Sequence, residues 1–350
     1  MNRADGPTLL VVAGTLGGGL GAAAREQSRW FSRRGWRVVL AAPGDVSLMP
    51  GTDFEYHPVP IPRSARDVRG MARAVADLRA MVRDVRPDVI HCHGMRSFLV
   101  ARAATRHPPY VTLHGTGAMP SDPLGYARLR RAGLRLVPHL ARRAYNAGVE
   151  PLPGWSFLTH ASPRLQFLAR REMDRSDGPA TFLWFGNLVD QKRPDLFVRA
   201  IGRAAESVPV RGIMAGGGSR RDEIERLIDD LRAPIDMVGH VDDVQAALDG
   251  ARAVVLFSWF EGIPFAAEEA MWVGRPVLCS SLPSLRWLLG DSGVFADDVE
   301  AAAARIIELT DREYAQALAD RASTRIRELI QPDAPWPFLE ATYRRDLGGM

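Results

Sequence analysis

The sequence predicts an α/β protein built from two doubly wound domains. Short apolar runs rich in β-branched residues alternate with longer amphipathic segments, which is typical of strands and helices packed around parallel sheets. The alternation runs twice, and a weaker stretch near residues 147–180 separates the two series. With 350 residues, of which 46% are hydrophobic, the chain can fill two cores. We therefore expect two domains that face each other across a cleft.

The elements are assigned from the period of the apolar residues. In the first half the predicted strands are 8–13, 37–42, 53–57, 88–91 and 110–113, and the predicted helices are 22–34, 67–85 and 97–106. In the second half the predicted strands are 181–185, 211–215, 235–238, 253–257 and 276–279, and the predicted helices include 222–231 and 265–273. The predicted domains are residues 1–170 and 171–332. Residues 333–350 are expected to form a helix that crosses back onto the first domain.

Composition argues against several classes of protein. The apolar runs are much shorter than the roughly 18–20 residues that a membrane-spanning helix needs. The first of them is predicted to be a buried strand rather than a signal peptide. Two cysteines are too few for a disulfide framework and fit a reducing, cytoplasmic environment. The net charge is only +4 and the basic residues are dispersed, so nucleic-acid binding is not expected.

Two carboxylates lie at a predicted strand-to-helix junction within residues 257–277. Glu261 follows the end of a buried strand, and Pro264 suits the first turn of the next helix, whose free N–H groups can bind phosphate. A carboxylate beside such a site is suited to accept hydrogen bonds from sugar hydroxyls. Glu269 lies about one and a half turns into the helix and is expected to reach a second set of hydroxyls. Spacing alone leaves an alternative open, in which Glu261 caps the helix and Glu269 lies on the surface.

The segment SWFEGIPFAAEEAMWVGRPV resembles the signature of retaining GT-B glycosyltransferases of the family 4 type. That signature pairs two Glu residues with seven residues between them, followed by Ala-Met and Gly-x-Pro-Val. The matching positions are Glu261, Glu269, Ala270, Met271, Gly274, Pro276 and Val277. The resemblance implies two Rossmann-like domains. It also implies that Glu261, with Gly262, Ile263 and Pro264, holds the donor sugar, and that Glu269 holds the nucleotide ribose.

The only lysine among the 45 Lys and Arg residues, Lys192, lies in the segment FGNLVDQKRPD after the first strand of the second domain. A compact ammonium group suits a diphosphate whose charge shifts as its glycosidic bond breaks. The family pattern here is Gly-Arg-Leu followed by Lys, which Gly186, Leu188 and Lys192 match. Asn187 stands where the family has Arg, so either Asn187 donates a weaker hydrogen bond to the diphosphate or Arg193 supplies the charge. A solvated surface lysine is the alternative.

The glycine-rich segment VVAGTLGGGLG lies between the first strand and the first helix, where glycine lets the backbone approach a phosphate closely. Its glycine spacing also fits a loose dinucleotide fingerprint. A dehydrogenase needs an acid at the tip of the second strand, however, and Asp45 comes only after a Pro-Gly pair. The resemblance instead selects Gly18 and Gly19, whose amides would face the donor diphosphate, and it implies backbone contacts to the base near Gly239.

Three histidines lie at the ends of predicted strands in the first half. The segment RPDVIHCHG carries His91 and His93, and His114 follows the next strand. Because adjacent strand positions point to opposite faces and no second Cys/His cluster completes a shell, no metal site is expected. The resemblance implies that His114 lies in the sugar-binding cleft, where it is expected to contact the donor sugar or the acceptor. His91 and His93 are expected to be structural or to lie on the acceptor side.

Residues 126–145 form a predicted basic amphipathic helix, with leucines at helical spacing and several arginines around them. Such a helix can lie on an anionic bilayer as a peripheral contact. It can equally be a solvated face packed on its own domain, or line a site for a phosphorylated or lipid-linked acceptor.

The family resemblance implies transfer of a hexose-type sugar from a nucleotide diphosphate sugar, such as a UDP- or GDP-sugar, to an acceptor hydroxyl. The acceptor would be a polysaccharide, a glycolipid or a small molecule, in carbohydrate biosynthesis. Retention at the anomeric carbon is implied, without a metal ion and with no cofactor besides the donor substrate. Two alternatives remain from the residues. One is a glycoside hydrolase that uses Glu261 and Glu269 as its carboxylate pair, and the other is a noncatalytic sugar-nucleotide-binding protein, which Asn187 would fit.

Overall fold

A computed structural model describes residues 6–44, 53–62, 67–115, 124–173 and 178–349. The chain divides into two compact units. The first unit holds the described residues up to Pro163 together with those from Asp333 onward, and the second unit holds those from Arg164 to Pro332. The boundary precedes the predicted one, because residues 164–170 contact the second unit: the backbone of Ala169 exchanges hydrogen bonds with Gln245.

The first unit contains a seven-stranded sheet. Its strands are β1 Thr8–Ala13, β2 Arg37–Ala42, β3 Glu55–Pro58, β4 Val89–His93, β5 Tyr110–Leu113, β6 Ala144–Asn146 and β7 Ser156–Phe157. Its first four helices are α1 Gly18–Ser32, α2 Val68–Val85, α3 Met95–Ala104 and α4 Leu124–Leu140. The strand order is β3-β2-β1-β4-β5-β6-β7, and every neighbouring pair is parallel.

The second unit contains a six-stranded parallel sheet of order β10-β9-β8-β11-β12-β13. The strands are β8 Ala180–Phe185, β9 Val210–Ala215, β10 Ile235–Gly239, β11 Ala253–Leu256, β12 Val277–Cys279 and β13 Gly293–Phe295. The helices are α5 Pro194–Ala205, α6 Arg221–Leu231, α7 Val244–Asp249, α8 Phe265–Val273, α9 Pro283–Leu289, α10 Val299–Glu308 and α11 Arg312–Leu329. Two doubly wound, Rossmann-like parallel sheets confirm the predicted fold class.

The strand order of each sheet reverses at its centre, between β1 and β4 in the first unit and between β8 and β11 in the second. Doubly wound sheets bind ligands beyond the carboxyl ends of the strands at this reversal. In the first unit, the glycine-rich segment follows β1 and His93 ends β4. In the second unit, Lys192 lies in the connection after β8, and Glu261 follows β11. The topology therefore brings the predicted motifs to the expected ends of the two sheets.

The C-terminal helix α12, Trp336–Gly348, belongs to the first unit. Its fully buried Tyr343 ring lies with its centroid 4.8 Å from that of Tyr110 and 5.4 Å from that of Phe31. One turn later, Asp346 accepts hydrogen bonds from Tyr110 and Arg143. The Arg143 guanidinium lowers the pKa of Asp346 to about 2. Apolar packing and an ion pair thus attach this helix to the sheet.

None of the helices in the described part of the chain combines the length and the apolar character that crossing a bilayer requires.

Candidate functional site

The connection after β8 is held by close backbone contacts. A Cβ on Gly216 would lie 1.8 Å from the carbonyl oxygen of Gly186, and a Cβ on Gly218 would lie 2.4 Å from that of Leu188. Only glycine permits this approach, so the Gly216–Gly218 segment after β9 supports the Gly186–Leu188 backbone. The chain then makes a short 3-10 turn over Asp190–Lys192 before α5 begins. Lys192 is therefore presented from a supported turn at the end of the sheet.

Arg220 reinforces the same turn and was missed by the sequence analysis. Its guanidinium forms ion pairs with Asp190, Asp195 and Glu223. Hydrogen bonds to Glu223 and Asp195 raise the pKa of Arg220 further. Asp190 begins the 3-10 turn and Asp195 lies in the first turn of α5, so Arg220 joins the two sides of Lys192.

Lys192 and Glu261 form an ion pair. The ammonium Nζ donates to Glu261 Oε1, which also accepts a hydrogen bond of 2.6 Å from Ser258 Oγ. The Lys192 side chain is 24% exposed and that of Glu261 is 9% exposed. The alternative of a solvated surface lysine is therefore wrong, because the Lys192 ammonium is paired with a carboxylate. The alternative in which Glu261 caps the helix is also wrong. Helix α8 begins at Phe265 after Pro264 and has no side-chain cap, and Pro264 precedes the first helical residue instead of occupying its first turn.

Glu269 is fully buried on α8 rather than on the surface. Its Oε1 lies 3.2 Å from Nη1 of Arg164. The guanidinium of Arg164 also lies over the ring of Phe185, at the end of β8. No local pattern in the sequence marks Arg164, because the contact joins residues 105 positions apart. Glu269, like Glu261, is thus paired with a cationic side chain of the second unit.

Asn187 and Arg193 take different places around Lys192. Asn187 is exposed. The Arg193 guanidinium lies 4.1 Å from the centroid of the Trp259 ring and donates to the carbonyl of Asp297. The Arg193 guanidinium thus contacts Trp259 and Asp297, whereas Lys192 is the cation that contacts Glu261.

Gly239, the predicted base-contacting residue, ends β10 with a positive φ of 70°. Its carbonyl accepts a hydrogen bond of 2.6 Å from the amide of Gly216. This bond connects the end of β10 to the glycine segment that supports the lysine turn.

In the first unit, Gly18 and Gly19 form the first turn of α1 instead of a loop before a helix at residue 22. The helix begins early because a Cβ at Gly21 would lie 2.1 Å from the carbonyl oxygen of Leu16, a clash that glycine avoids. First-turn amides lack acceptors within a helix and carry the positive end of its dipole. Gly18 and Gly19 therefore lie at a helix N-terminus beyond β1, a position whose amides suit an anion.

Four histidine rings form a row: His91 and His93 lie in β4, His114 directly follows β5, and His160 follows β7. The ring centroids of His91 and His93 lie 5.1 Å apart, those of His93 and His114 also 5.1 Å, and those of His114 and His160 5.9 Å. Residues two positions apart on a strand share a face. Alternation therefore separates Cys92 from the row, but it does not separate His91 from His93. His160 is far away in sequence and was missed.

Burial keeps this histidine row neutral. It lowers the pKa of His91 and His160 to about 3 and that of His114 to about 4. It also holds the pKa of His93 well below its ordinary value. Within the described ranges, no group of three or more His, Cys, Asp or Glu side chains is arranged to hold a metal ion.

Two family models match the chain. The "Glycosyl transferase 4-like domain" matches residues 18–149, and "Glycosyl transferases group 1" matches residues 179–312.

Sequence relatives and a solved structure agree with these models. Over 316 residues the chain is 24% identical to the putative glycosyltransferase EpsD of Bacillus subtilis, across 78% of this chain and 81% of that protein. It is 27% identical over 154 residues to an undecaprenol-linked-glycan alpha-1,4-N-acetyl-D-galactosaminyltransferase of Campylobacter jejuni, but this match spans only 42% of the chain and 43% of that enzyme. Sucrose-phosphate synthase from Thermosynechococcus elongatus has a similar fold, with a TM-score of 0.84, 16% identity, and coverage of 99% of this chain and 100% of that one. On the two family models, which lie one in each half of the sequence, the chain belongs to the group 1 glycosyltransferases.

Proposed function

We propose that this protein transfers a sugar from a nucleotide diphosphate donor to an acceptor hydroxyl. The observation that carries the proposal is the Lys192–Glu261 pair at the central strand ends of the second unit. A phosphate can draw the ammonium away from the carboxylate, and the freed carboxylate can then accept hydrogen bonds from sugar hydroxyls. A nucleotide diphosphate sugar carries both phosphates and sugar hydroxyls. It can therefore bind Lys192 through a phosphate and Glu261 through hydroxyls, in place of the contact between the two side chains.

The roles of the individual residues follow from this exchange. Lys192 would stabilise the negative charge that develops on the departing diphosphate. Glu261, with Gly262, Ile263 and Pro264, would hold the donor sugar, while Glu269 would bind the ribose. On the first unit, the amides of Gly18 and Gly19 suit a phosphate, and His114 suits a sugar hydroxyl. Asn187, Arg193 and Gly239 complete the proposed donor contacts.

We further propose that transfer retains the anomeric configuration and proceeds without a metal ion. Lys192 would supply the positive charge at the diphosphate. The departing diphosphate would take the proton from the acceptor hydroxyl on the same face of the sugar, so no side chain is assigned as a nucleophile. The linkage of the product, determined by NMR, tests retention, and turnover in excess EDTA tests metal independence.

A lipid-linked or polymeric acceptor and a peripheral membrane location stay predictions. Helix α4 carries the exposed arginines Arg128, Arg131 and Arg135, and Leu136 beside them is 56% exposed. Apolar and basic groups side by side suit an anionic lipid surface. Cosedimentation with anionic and with neutral vesicles tests this contact. The cytoplasmic location expected from the two cysteines is likewise a prediction.

The test is a panel of UDP-, GDP- and ADP-sugars and free sugars, read by thermal shift and then by transfer assays. The wild-type protein should be stabilised by one class of nucleotide sugar and should transfer its sugar. Glu261→Gln should abolish transfer with the thermal midpoint of the free protein nearly unchanged. The exposed Glu313→Gln is the matched control and should transfer normally.

Three outcomes would contradict the proposal. Stabilisation by free sugars alone, with cleavage of glycosides, would favour the hydrolase, for which Lys192 has no role. Tight binding of a nucleotide sugar without turnover would favour a noncatalytic binding protein. Full turnover in Glu261→Gln would remove Glu261 from the mechanism.

A further inference from the structure

A continuous chain of hydrogen bonds runs through the interior of the first unit and ends at His114. Its five links join side chains from β4, β5, α1 and α12. They are His114 Nε2 to His93 Nδ1 at 2.8 Å, His93 Nε2 to Gln27 Oε1 at 2.6 Å, Gln27 Nε2 to Tyr343 Oη at 3.0 Å, Tyr343 Oη to His91 Nδ1, and His91 Nε2 to Thr112 Oγ1 at 2.8 Å. Elements from both ends of the sequence therefore meet in one network.

Gln27 gives this chain its direction. An amide nitrogen only donates and an amide oxygen only accepts. Because Gln27 Oε1 faces His93 Nε2, that nitrogen carries the proton and His93 Nδ1 accepts. His114 must then donate from Nε2, which leaves its Nδ1 without a proton. These tautomers are assigned from the hydrogen-bond partners and from the orientation of the Gln27 amide.

The other half of the chain follows the same direction. Tyr343 Oη accepts from Gln27 Nε2 and therefore donates its proton to His91 Nδ1. His91 then donates from Nε2 to Thr112 Oγ1. With the Gln27 amide oriented in this way, all five bonds point from His114 towards Thr112.

Burial makes a mismatched link in this chain costly. Gln27, His91 and Tyr343 are fully buried, and His93 is 2% exposed. A buried donor that faces another donor cannot form a hydrogen bond with water instead. Because burial also keeps the histidines neutral, each imidazole has one donor and one acceptor nitrogen. His114, at the end of the chain, is only partly buried, and within the described residues Nε2 is its hydrogen-bonding nitrogen.

We propose that Gln27, which is bonded to Tyr343 of the C-terminal helix, is a positioning residue that holds His114 in its Nε2–H tautomer. The Nδ1 lone pair of His114 then accepts a hydrogen bond from a hydroxyl of the sugar substrate. The sugar contact rests on the proposed function, whereas the tautomer is a property of the free protein.

Replacing Gln27 with glutamate should invert the tautomer. A carboxylate at this position still accepts from His93 Nε2, but its charge favours the imidazolium form of His93. With a proton on both nitrogens, His93 donates from Nδ1, so His114 must accept at Nε2 and carry its proton on Nδ1. Gln27→Met removes both polar atoms without adding charge and should leave a mixture of the two His114 tautomers.

The test is the long-range ¹H–¹⁵N spectrum of the full-length protein, labelled at its 8 histidines and recorded near neutral pH without ligand. His114→Gln assigns the His114 signal. The wild type should show the proton on Nε2, Gln27→Glu on Nδ1, and Gln27→Met on both in exchange. Ser28→Ala is the matched control, because the buried Ser28 hydroxyl donates to the Ala24 carbonyl of the same helix, away from the network. It should keep the wild-type tautomer.

Two results would overturn the proposal. One is a wild-type His114 protonated on Nδ1. The other is an unchanged His114 tautomer in the folded Gln27→Glu and Gln27→Met variants.

The sugar contact is tested by adding the UDP- or GDP-sugar that gives the largest thermal shift, with and without acceptor. The His114 Nδ1 resonance should move in the wild type and not in Gln27→Glu, and an unmoved wild-type resonance would reject the contact. A failed transfer assay with the tautomers as expected would count against the proposed function and not against the network.

Discussion

The two units have the same central strand order but place opposite kinds of chemistry at its reversal. In the second unit the strand ends carry ion pairs, Lys192 with Glu261 and Arg164 with Glu269. In the first unit the equivalent ends carry helix amides and a row of neutral histidines. Topology therefore decides where a ligand can bind, and the side chains decide which part of a ligand each sheet can hold.

Burial explains the difference between the two sets of side chains. Lys192 keeps 24% of its side-chain surface in contact with solvent and is paired with the carboxylate of Glu261. His91 and His93 are enclosed beside the uncharged partners Gln27, Tyr343 and Thr112. Charging them would cost desolvation without a counter-ion, so they stay neutral and serve as directional hydrogen-bond groups. The second unit is built for charge and the first for hydrogen bonding.

The largest expected effect comes from removing the cation of the second unit. Lys192→Ala should lower kcat by about 10²–10³-fold, the cost typical of losing one preorganised group at developing charge. Lys192→Arg should recover only part of this loss, because a planar guanidinium does not replace a compact ammonium. Steady-state kinetics measures both. Arg226→Ala, which removes an exposed guanidinium on α6, is the control. Equal kcat values in Lys192→Ala and the wild type would end the claim that charge distinguishes this site.

The buried histidines predict that the first unit loses stability in mild acid. The pKa values of His91 and His160 are about 3 in the folded protein against 6.5 ordinarily. Below pH 6.5 the unfolded chain therefore binds protons that the folded chain does not. Each such histidine should lower the free energy of unfolding by about 1.4 kcal/mol per pH unit, or roughly 2 kcal/mol by about pH 5.

One buried free cysteine in each unit allows the two to be compared: Cys92 in the first and Cys279 in the second. Unfolding in urea can be followed at each thiol by its labelling with a dipyridyl disulfide. The urea concentration at the midpoint of Cys92 labelling should be lower at about pH 5 than at about pH 7. His160→Leu should reduce that fall, whereas the exposed His107→Gln should not. A Cys92 midpoint independent of pH would contradict the neutral row.

The smallest expected effect concerns Glu269. Exchanging its carboxylate for an amide in Glu269→Gln should weaken binding of the preferred nucleoside diphosphate by roughly fivefold, because hydrogen bonds to a charged acceptor are about 1 kcal/mol stronger than neutral ones. The ratio of affinities between the ribo and 2′-deoxyribo forms, measured by calorimetry, should also shrink. Glu313→Gln is the control and should keep the wild-type ratio. The same ratio in Glu269→Gln would show that Glu269 does not bind the ribose.

Local sequence patterns predicted most of the fold. β1, β2 and β5 have the predicted bounds, because strands buried on both faces are continuous apolar runs. β6, β7 and β13 were missed, because two or three residues are too short to show a period. The start of α1 was placed four residues late, because glycines count against a helix unless the close approach of Gly21 to Leu16 is known.

The sequence by itself determined the two-sheet architecture and the positions of Glu261, Glu269 and Lys192, since hydrophobic period and motif order are local properties of the chain. Tertiary structure alone decided what these groups contact. Arg164 reaches Glu269, and Gln27 and Tyr343 meet although they are 316 positions apart. It also decided which histidines are neutral, because desolvation depends on every surrounding atom and not on neighbours in sequence.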